Sequence, residues 1–151
     1  MKIYLDVSCL NRPFDDQWQE RIRIEAEAVA IVIEQCVAGN WQNVSSKMAV
    51  MEIAANPDRE KRRKVRALLP ALRDIIEVGS AVLQRAIAIE AMGFRTVDAV
   101  HIAAAEAQHA DVLLTCDDRF LRAAKRSKAR LTVKVENPVI WLQENSHAEN
   151  P

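Results

Sequence analysis

The chain has 151 residues, half of them apolar, with 21 Lys and Arg against 21 Asp and Glu. That length and composition suit one globular domain with a sizeable core and exclude a disordered chain, while zero net charge excludes a broadly basic nucleic-acid binder, so nucleic-acid contacts have to come from local patches. Three scattered cysteines, Cys9, Cys36 and Cys116, contain no C-x-x-C pair and are odd in number, which predicts reduced thiols and no zinc site. The longest apolar run, Ala28 to Ile33, is far too short for a bilayer, and the N-terminus opens on a strand rather than a signal peptide. The expectation is a soluble, cytoplasmic protein without membrane contact.

Lys2 to Val7 reads as a strand apolar on both faces, as a central parallel strand should be, with Asp6 interrupting it. Ser8 to Asp16, which includes Pro13, reads as an irregular loop. Gln19 to Val37 reads as a long helix closed by Gly39-Asn40, with Ile22, Val29, Ile33 and Cys36 at helical spacing and Ala26 and Ala30 allowing close packing. Trp41 to Val44 is a short strand; Ser45 or Ser46 then caps a helix from Lys47 to Ala55 that carries Glu52 and stops before Asn56-Pro57. Asp58 caps a basic helix containing Arg59, Lys61, Arg62, Arg63, Lys64 and Arg66. Asp74 to Val78 is a third strand stopped by Gly79, and Ser80 caps a helix running to Met92 and ended by Gly93. Arg95-Thr96-Val97-Asp98 opens the next helix, which continues through Ala107. Val112 to Leu114 is a short buried strand leading to Asp117, followed by a helix with Arg119, Arg122, Lys125 and Arg126. Thr132 to Val135 is the last strand, and Pro138 to Glu144 a short helix or turn. Alternating strands and helices predict an α/β class: a single-domain, three-layer α/β/α sandwich around a mostly parallel sheet of about five strands. The domain is expected over residues 1–145, with 146–151 a polar tail.

Four carboxylates occupy odd positions. Asp6 interrupts an apolar strand, Glu52 lies among Met48, Val50, Met51 and Ile53, Asp98 sits in the first turn of a very apolar helix, and Asp117 follows a buried strand. Each has an ordinary reading too: Asp98 suits the helix dipole, Asp117 an N-cap, and Glu52 a solvent-facing helix position. Asp6 is the hardest to explain that way. In open parallel sheets ligands bind beyond the carboxyl ends of the strands. Four acids gathered there would repel one another, and a hard cation such as Mg²⁺ is the natural resolution. Two such ions would suit in-line attack on a phosphodiester. Ser8, two residues beyond Asp6, either hydrogen-bonds a carboxylate or begins the turn.

Four segments, in this order and spacing, carry a resemblance: Tyr4-Leu5-Asp6-Val7-Ser8, Ser45-Ser46 to Glu52-Ile53, Thr96-Val97-Asp98-Ala99-Val100-His101-Ile102-Ala103, and Leu114-Thr115-Cys116-Asp117-Asp118-Arg119-Phe120. The chain resembles the PIN-domain family of Mg²⁺-dependent ribonucleases, which includes VapC-type toxins of toxin–antitoxin pairs, from Lys2 to about Leu142. The resemblance implies that Asp6, Glu52, Asp98 and Asp117 match the family's acidic ligands for one or two Mg²⁺ or Mn²⁺ ions. These would direct water onto an RNA phosphate and leave a 5′-phosphate and a 3′-hydroxyl. In the doublet Asp117-Asp118, the Thr-x-Asp-x-x-Phe frame favours Asp117. The resemblance also implies a small antitoxin that fills the acidic cleft and a homodimer.

Arg119 and Arg122, just beyond Asp117, are candidate RNA-phosphate contacts, with Asp118 beside them; the basic helix from Arg59 to Arg66 is a second such surface or simply a solvated face. His101, one helical turn past Asp98, either touches the site or supports it from the core. His109 and His147 have no evident partners. Three glycines, each near an element end, make no phosphate-binding loop, and no Ser-His-Asp or Cys-His set is arguable. A phospho-acceptor receiver domain would also have an acidic Mg²⁺ site, but the third strand ends on Gly79 rather than an Asp. A catalytically idle PIN-like module that binds RNA or protein is the remaining alternative.

Overall fold

The structure is a computed structural model describing residues Met1–Ser146. His147 and most of the tail expected over 146–151 lie outside the described residues. Strand β1 (Lys2–Leu5) is central, between β2 (Gln42–Ser46) and β4 (Val112–Leu114), with β3 (Ile75–Ile76) and β5 (Lys134–Glu136) at the edges. The order is β3-β2-β1-β4-β5 and every pairing is parallel. The helices are α1 (Val7–Asn11), α2 (Glu20–Val37), α3 (Lys47–Ala54), α4 (Arg59–Arg66), α5 (Ser80–Glu90), α6 (Thr96–Ala107), α7 (Asp118–Arg126) and α8 (Pro138–Ser146).

Strand alternation divides the core into two halves. Ile3 and Leu5, with Val112 and Leu114, pack against Cys9 and Leu10 of α1, Val29 and Val32 of α2, Ile53 of α3, Val65 of α4 and Trp141 of α8. Tyr4 and Leu113 point the other way, into Ile89 of α5, Ile102 of α6 and Phe120 of α7. Helices therefore cover both faces, which is why the inner strands are apolar throughout.

Several local expectations are corrected. The stretch after β1 is not an irregular loop but α1 and a 3₁₀ turn, Arg12–Phe14. Asp6 causes this: its carboxylate accepts the Val7 N–H and caps α1, and Pro13 is tolerated early in the 3₁₀ turn because no donor is needed there. The third strand shrinks to two residues, since only Ser45 and Ser46 of β2 offer it partners and Leu72–Asp74 forms a 3₁₀ turn. Ser80 is the first helical residue of α5; Gly79 holds the cap position without a side-chain bond. Strands β2 and β5 start and end later than expected, following their register with β1 and β4. On α2, Ala30 is exposed and Val32 is buried instead.

Partly buried ion pairs tie the helices to one another and to the connecting segments. Glu25 on α2 is buried and takes hydrogen bonds from Arg12 at 2.9 Å, Arg21 at 3.3 Å and Asn137 at 2.7 Å, joining α2 to the 3₁₀ turn and to the β5–α8 junction. The sequence gives no hint of this role, because Glu25 looks like any helix-surface acid. On the opposite face Arg85 of α5 grips Glu106 of α6 through two nitrogens, at 2.7 and 3.2 Å, and the Thr132 N–H adds a third bond. Burial pushes the Glu106 carboxyl up, but these bonds outweigh it and hold it below its usual value. A depressed carboxylate stabilises the fold above its unfolded-state value and loses that contribution as pH falls through its folded one. Glu106→Gln is therefore expected to cost about 1–2 kcal/mol in urea melts at neutral pH, the half-exposed Arg85 limiting the figure. The difference from wild type should vanish in acid.

Candidate active site

The strand order reverses beside β1: the chain fills β2 and β3 on one side, then returns to fill β4 and β5 on the other. The crevice at such a switch point lies beyond the carboxyl ends of β1 and β4. Asp6 follows β1 immediately and is held from three sides. Its Oδ1 accepts the Val7 N–H at 2.9 Å, and its Oδ2 accepts the hydroxyls of Ser8 and Thr115, each at 2.8 Å. Those hydroxyls in turn accept the N–H groups of Cys116, at 3.1 Å on Ser8, and of Asp117, at 3.1 Å on Thr115. One small network thus fixes the Asp6 carboxylate to the loop after β4.

The other acids reach the same cleft from three helices. Asp117 caps α7, accepting the Arg119 and Phe120 N–H groups, and its second oxygen lies 3.6 Å from Arg95. Asp98 projects from the first turn of α6. Glu52, on α3, hydrogen-bonds Nε2 of the fully buried His101, which lies 3.7 Å from Asp6 Oδ1. Asp6, Ser8, Glu52, Asp98 and Asp117 all line one cleft of about 470 Å³, together with Asn11, Arg95 and Thr96. Asp118, Arg119 and Arg122 do not line it. Asp118 instead pairs with Arg21 through both oxygens, at 2.7 and 2.8 Å, and Arg119 and Arg122 are exposed on α7.

The family model for the PIN domain matches residues 3–126. The chain belongs to the PIN-domain family. The fold of this PIN domain is also that of a solved structure described as VapBC2 from Rickettsia felis bound to a DNA fragment from their promoter. That match has a TM-score of 0.57 and 14% identity, over 91% of this chain and 98% of the other. No curated protein gives a significant match.

Electrostatics and donor chemistry in this PIN domain suit a divalent cation. Burial, then the nearby charges of Asp6 and Asp117, push the Asp98 carboxyl up to about 6. Neighbouring carboxylates resist sharing negative charge without a cation. Ligand atoms of Asp6, Glu52 and His101 lie within 4.8 Å of one another. Carboxylate oxygens are the donors that Mg²⁺ and Mn²⁺ prefer. Burial pulls the His101 imidazole down, but its bond to Glu52 and the charges of Asp6, Glu52 and Asp98 outweigh this and raise it above its usual value.

Three residues that serve the site do not stand out in the sequence as functional: Thr115, buried behind Asp6, and Arg95 and Asn11, which line the cleft. Thr115 carries a readable signal, a hydroxyl directly after an apolar strand and two residues before an acid. Arg95 and Asn11 carry none, since an Arg before a helix and an Asn after one are ordinary surface choices. Among the described residues no helix is long and apolar enough to cross a membrane.

Proposed function

We propose that this PIN domain is a metal-dependent endoribonuclease, with Asp6, Glu52, Asp98 and Asp117 as the acids that hold Mg²⁺ or Mn²⁺. The observation that carries the reading is the convergence of these four carboxylates, from four separate chain segments, on one cleft at the sheet's switch point. A bound divalent ion would supply the positive charge that offsets the RNA phosphate and its leaving oxygen and acidifies the attacking water. The protein's own part is positional. Asp6 is immobilised by three hydrogen bonds, so it can hold charge without reorganising. Asp98, its carboxyl pushed up to about 6 by burial and by Asp6 and Asp117, carries a charge that a bound cation would stabilise. Arg95, paired with Asp117 at the cleft wall, and the exposed Arg119 and Arg122 offer charge to RNA phosphates, which gives affinity without sequence choice. Asp118, through Arg21, fixes the start of α7.

The direct test is a panel of structured RNAs incubated with purified protein and Mn²⁺ or Mg²⁺, beside EDTA and the variants Asp6→Asn and Asp98→Asn. Cleavage that survives EDTA or both substitutions overturns the proposal. Divalent cation should also raise the melting temperature. The sign of its pH dependence follows from Asp98. A carboxyl whose folded value is raised stabilises the metal-free fold below its unfolded value, and that contribution is lost as pH rises through about 6. The cation needs the ionised form, so the stabilisation it confers should grow as pH rises through the same range.

We infer a toxin role from the family resemblance, a reading with which the fold shared with a VapBC2 structure agrees. On that reading the protein acts in the cytoplasm as a homodimer over residues 1–145, and a small antitoxin covers the acidic cleft. Light scattering that returned a monomer mass at micromolar concentration would rule out the homodimer. The receiver alternative has no support, since β3 lies at the sheet edge and ends on Ile76, followed by Glu77 rather than the Asp that such a site requires. An idle RNA- or protein-binding module is what remains if the cation binds and no RNA is cut.

A further inference from the structure

Beneath the cleft runs a line of polar side chains that the chemistry above does not use. Ser46, Tyr4 and His101 are fully buried. Tyr4 Oη lies 2.6 Å from Ser46 Oγ and 2.6 Å from His101 Nδ1, and the other ring nitrogen, Nε2, bonds Glu52 Oε1. Burying such a chain is costly unless every member is satisfied.

Counting protons gives the chain a direction. Ser46 Oγ, the cap of α3, accepts the Ala49 N–H, so its own hydrogen can go to Tyr4 Oη. The phenol hydrogen then goes to His101 Nδ1, and Nε2 is left carrying the ring proton, which it donates to Glu52. The reverse direction would aim a bare Nε2 lone pair at Glu52 and Asp6, and the Ser46 hydrogen would lose Tyr4 as its acceptor. The end of the chain matters because Glu52 differs from Asp6. Asp6 has three hydrogen bonds, whereas Glu52 is long, one-third exposed, and among the described residues bonded to His101 alone. An unrestrained Glu side chain would sample many rotamers and lose that freedom on binding a cation.

We propose that His101 is a positioning residue: its Nε2–H, oriented by the Ser46–Tyr4 relay, holds the Glu52 carboxylate beside Asp6 and so presets one arm of the cation site. This rests on the metal-dependent reading above. The relay also explains the apolar helix around His101: the imidazole spans from the strand core to the cleft floor, so its neighbours need supply no polar group.

Calorimetric titration with Mn²⁺ alone tests the proposal without any RNA. Removal of a group that orients a metal ligand typically costs roughly 10–100-fold in affinity. His101→Leu, close in volume and unable to donate, should weaken Mn²⁺ by that factor. His101→Gln, which can place an amide N–H near Nε2, should recover most of the loss, and Tyr4→Phe, which frees the tautomer, should fall between. A packing role alone would rank Leu at least as good as Gln. If the buried leucine variant fails to fold, the comparison of His101→Gln with Tyr4→Phe decides: equal affinity in both, at the wild-type value, overturns the proposal. Pulsed electron paramagnetic resonance on the Mn²⁺ complex is a second, independent measurement, because a directly bound imidazole nitrogen would make His101 a ligand and refute its positioning role. Wild-type protein that binds no Mn²⁺ would instead overturn the metal reading itself, and this inference with it.

Discussion

Asp6→Asn is expected to abolish RNA cleavage while leaving the metal-free protein at least as stable as wild type. The two effects have one origin. Asp6 is buried, its oxygens accept three hydrogen bonds, and it adds negative charge to a cleft where the Asp98 carboxyl is already pushed up to about 6. An Asn side chain keeps the carbonyl that accepts the Val7 N–H. Its amide meets the Ser8 and Thr115 hydroxyls, which can rotate to accept, but their own hydrogens then lose Asp6 as acceptor, a cost that relief of the charge repulsion offsets. The charge that is lost is one that repels Asp98 and that a cation requires. Activity should therefore fall by more than the roughly 10–100-fold seen when a supporting group is removed. Thermal melts should show an unchanged or raised midpoint without metal and little further rise when Mn²⁺ is added. This opposition of stability and function marks a functional site. A variant that lost stability and activity together would show Asp6 to be a structural cap and no more.

Phe120→Ala is expected to give the largest loss of stability. Phe120 is 1% exposed, lies in the core half shared by β4, α6 and α7, and meets Phe94 edge to face at 6.1 Å. Deleting a buried phenyl ring costs about 3–5 kcal/mol, a large part of the 5–15 kcal/mol that holds a typical domain together. For a chain of this size that is a fall of roughly 6–20 °C in melting temperature. The site should suffer too, because the Phe120 N–H is one of the two that Asp117 accepts, and packing of the ring fixes where α7 begins. Arg119→Ala, one residue away and exposed, should stay within about 0.5 kcal/mol of wild type. Urea melts of the pair decide the matter, and equal losses would mean that α7 is held by its surface rather than by its core face.

Much of the fold was legible in the residue pattern. The β1 and β4 strands are apolar on both faces, which only a covered parallel sheet accommodates, and the caps Ser46, Asp58 and Asp117 all bond helix N–H groups. The errors fell where a local pattern had two solutions. Ser8 to Asp16 has the composition of a loop, but Asp6 caps it into helix, and that depends on the carboxylate facing the Val7 N–H. The third strand reads as five residues, Asp74 to Val78, on the strength of three apolar ones, yet a strand exists only where a neighbour offers bonds, and β2 offers two.

The sequence by itself determined the class of fold, the order of elements and the four acids that stand out against apolar surroundings, because hydrophobic period and capping chemistry are local properties. Only the tertiary structure decided which groups serve those acids. Thr115 and Ser8, 107 residues apart in the chain, share Asp6; Arg95 pairs with Asp117; and Tyr4, Ser46 and His101 meet beneath Glu52. A hydrogen bond needs its partners within about 3 Å, and no pattern along the chain states which distant segments will come that close. The order β3-β2-β1-β4-β5 lays the end of β1 beside the end of β4, and the contact of α3 with α6 brings Glu52 to His101.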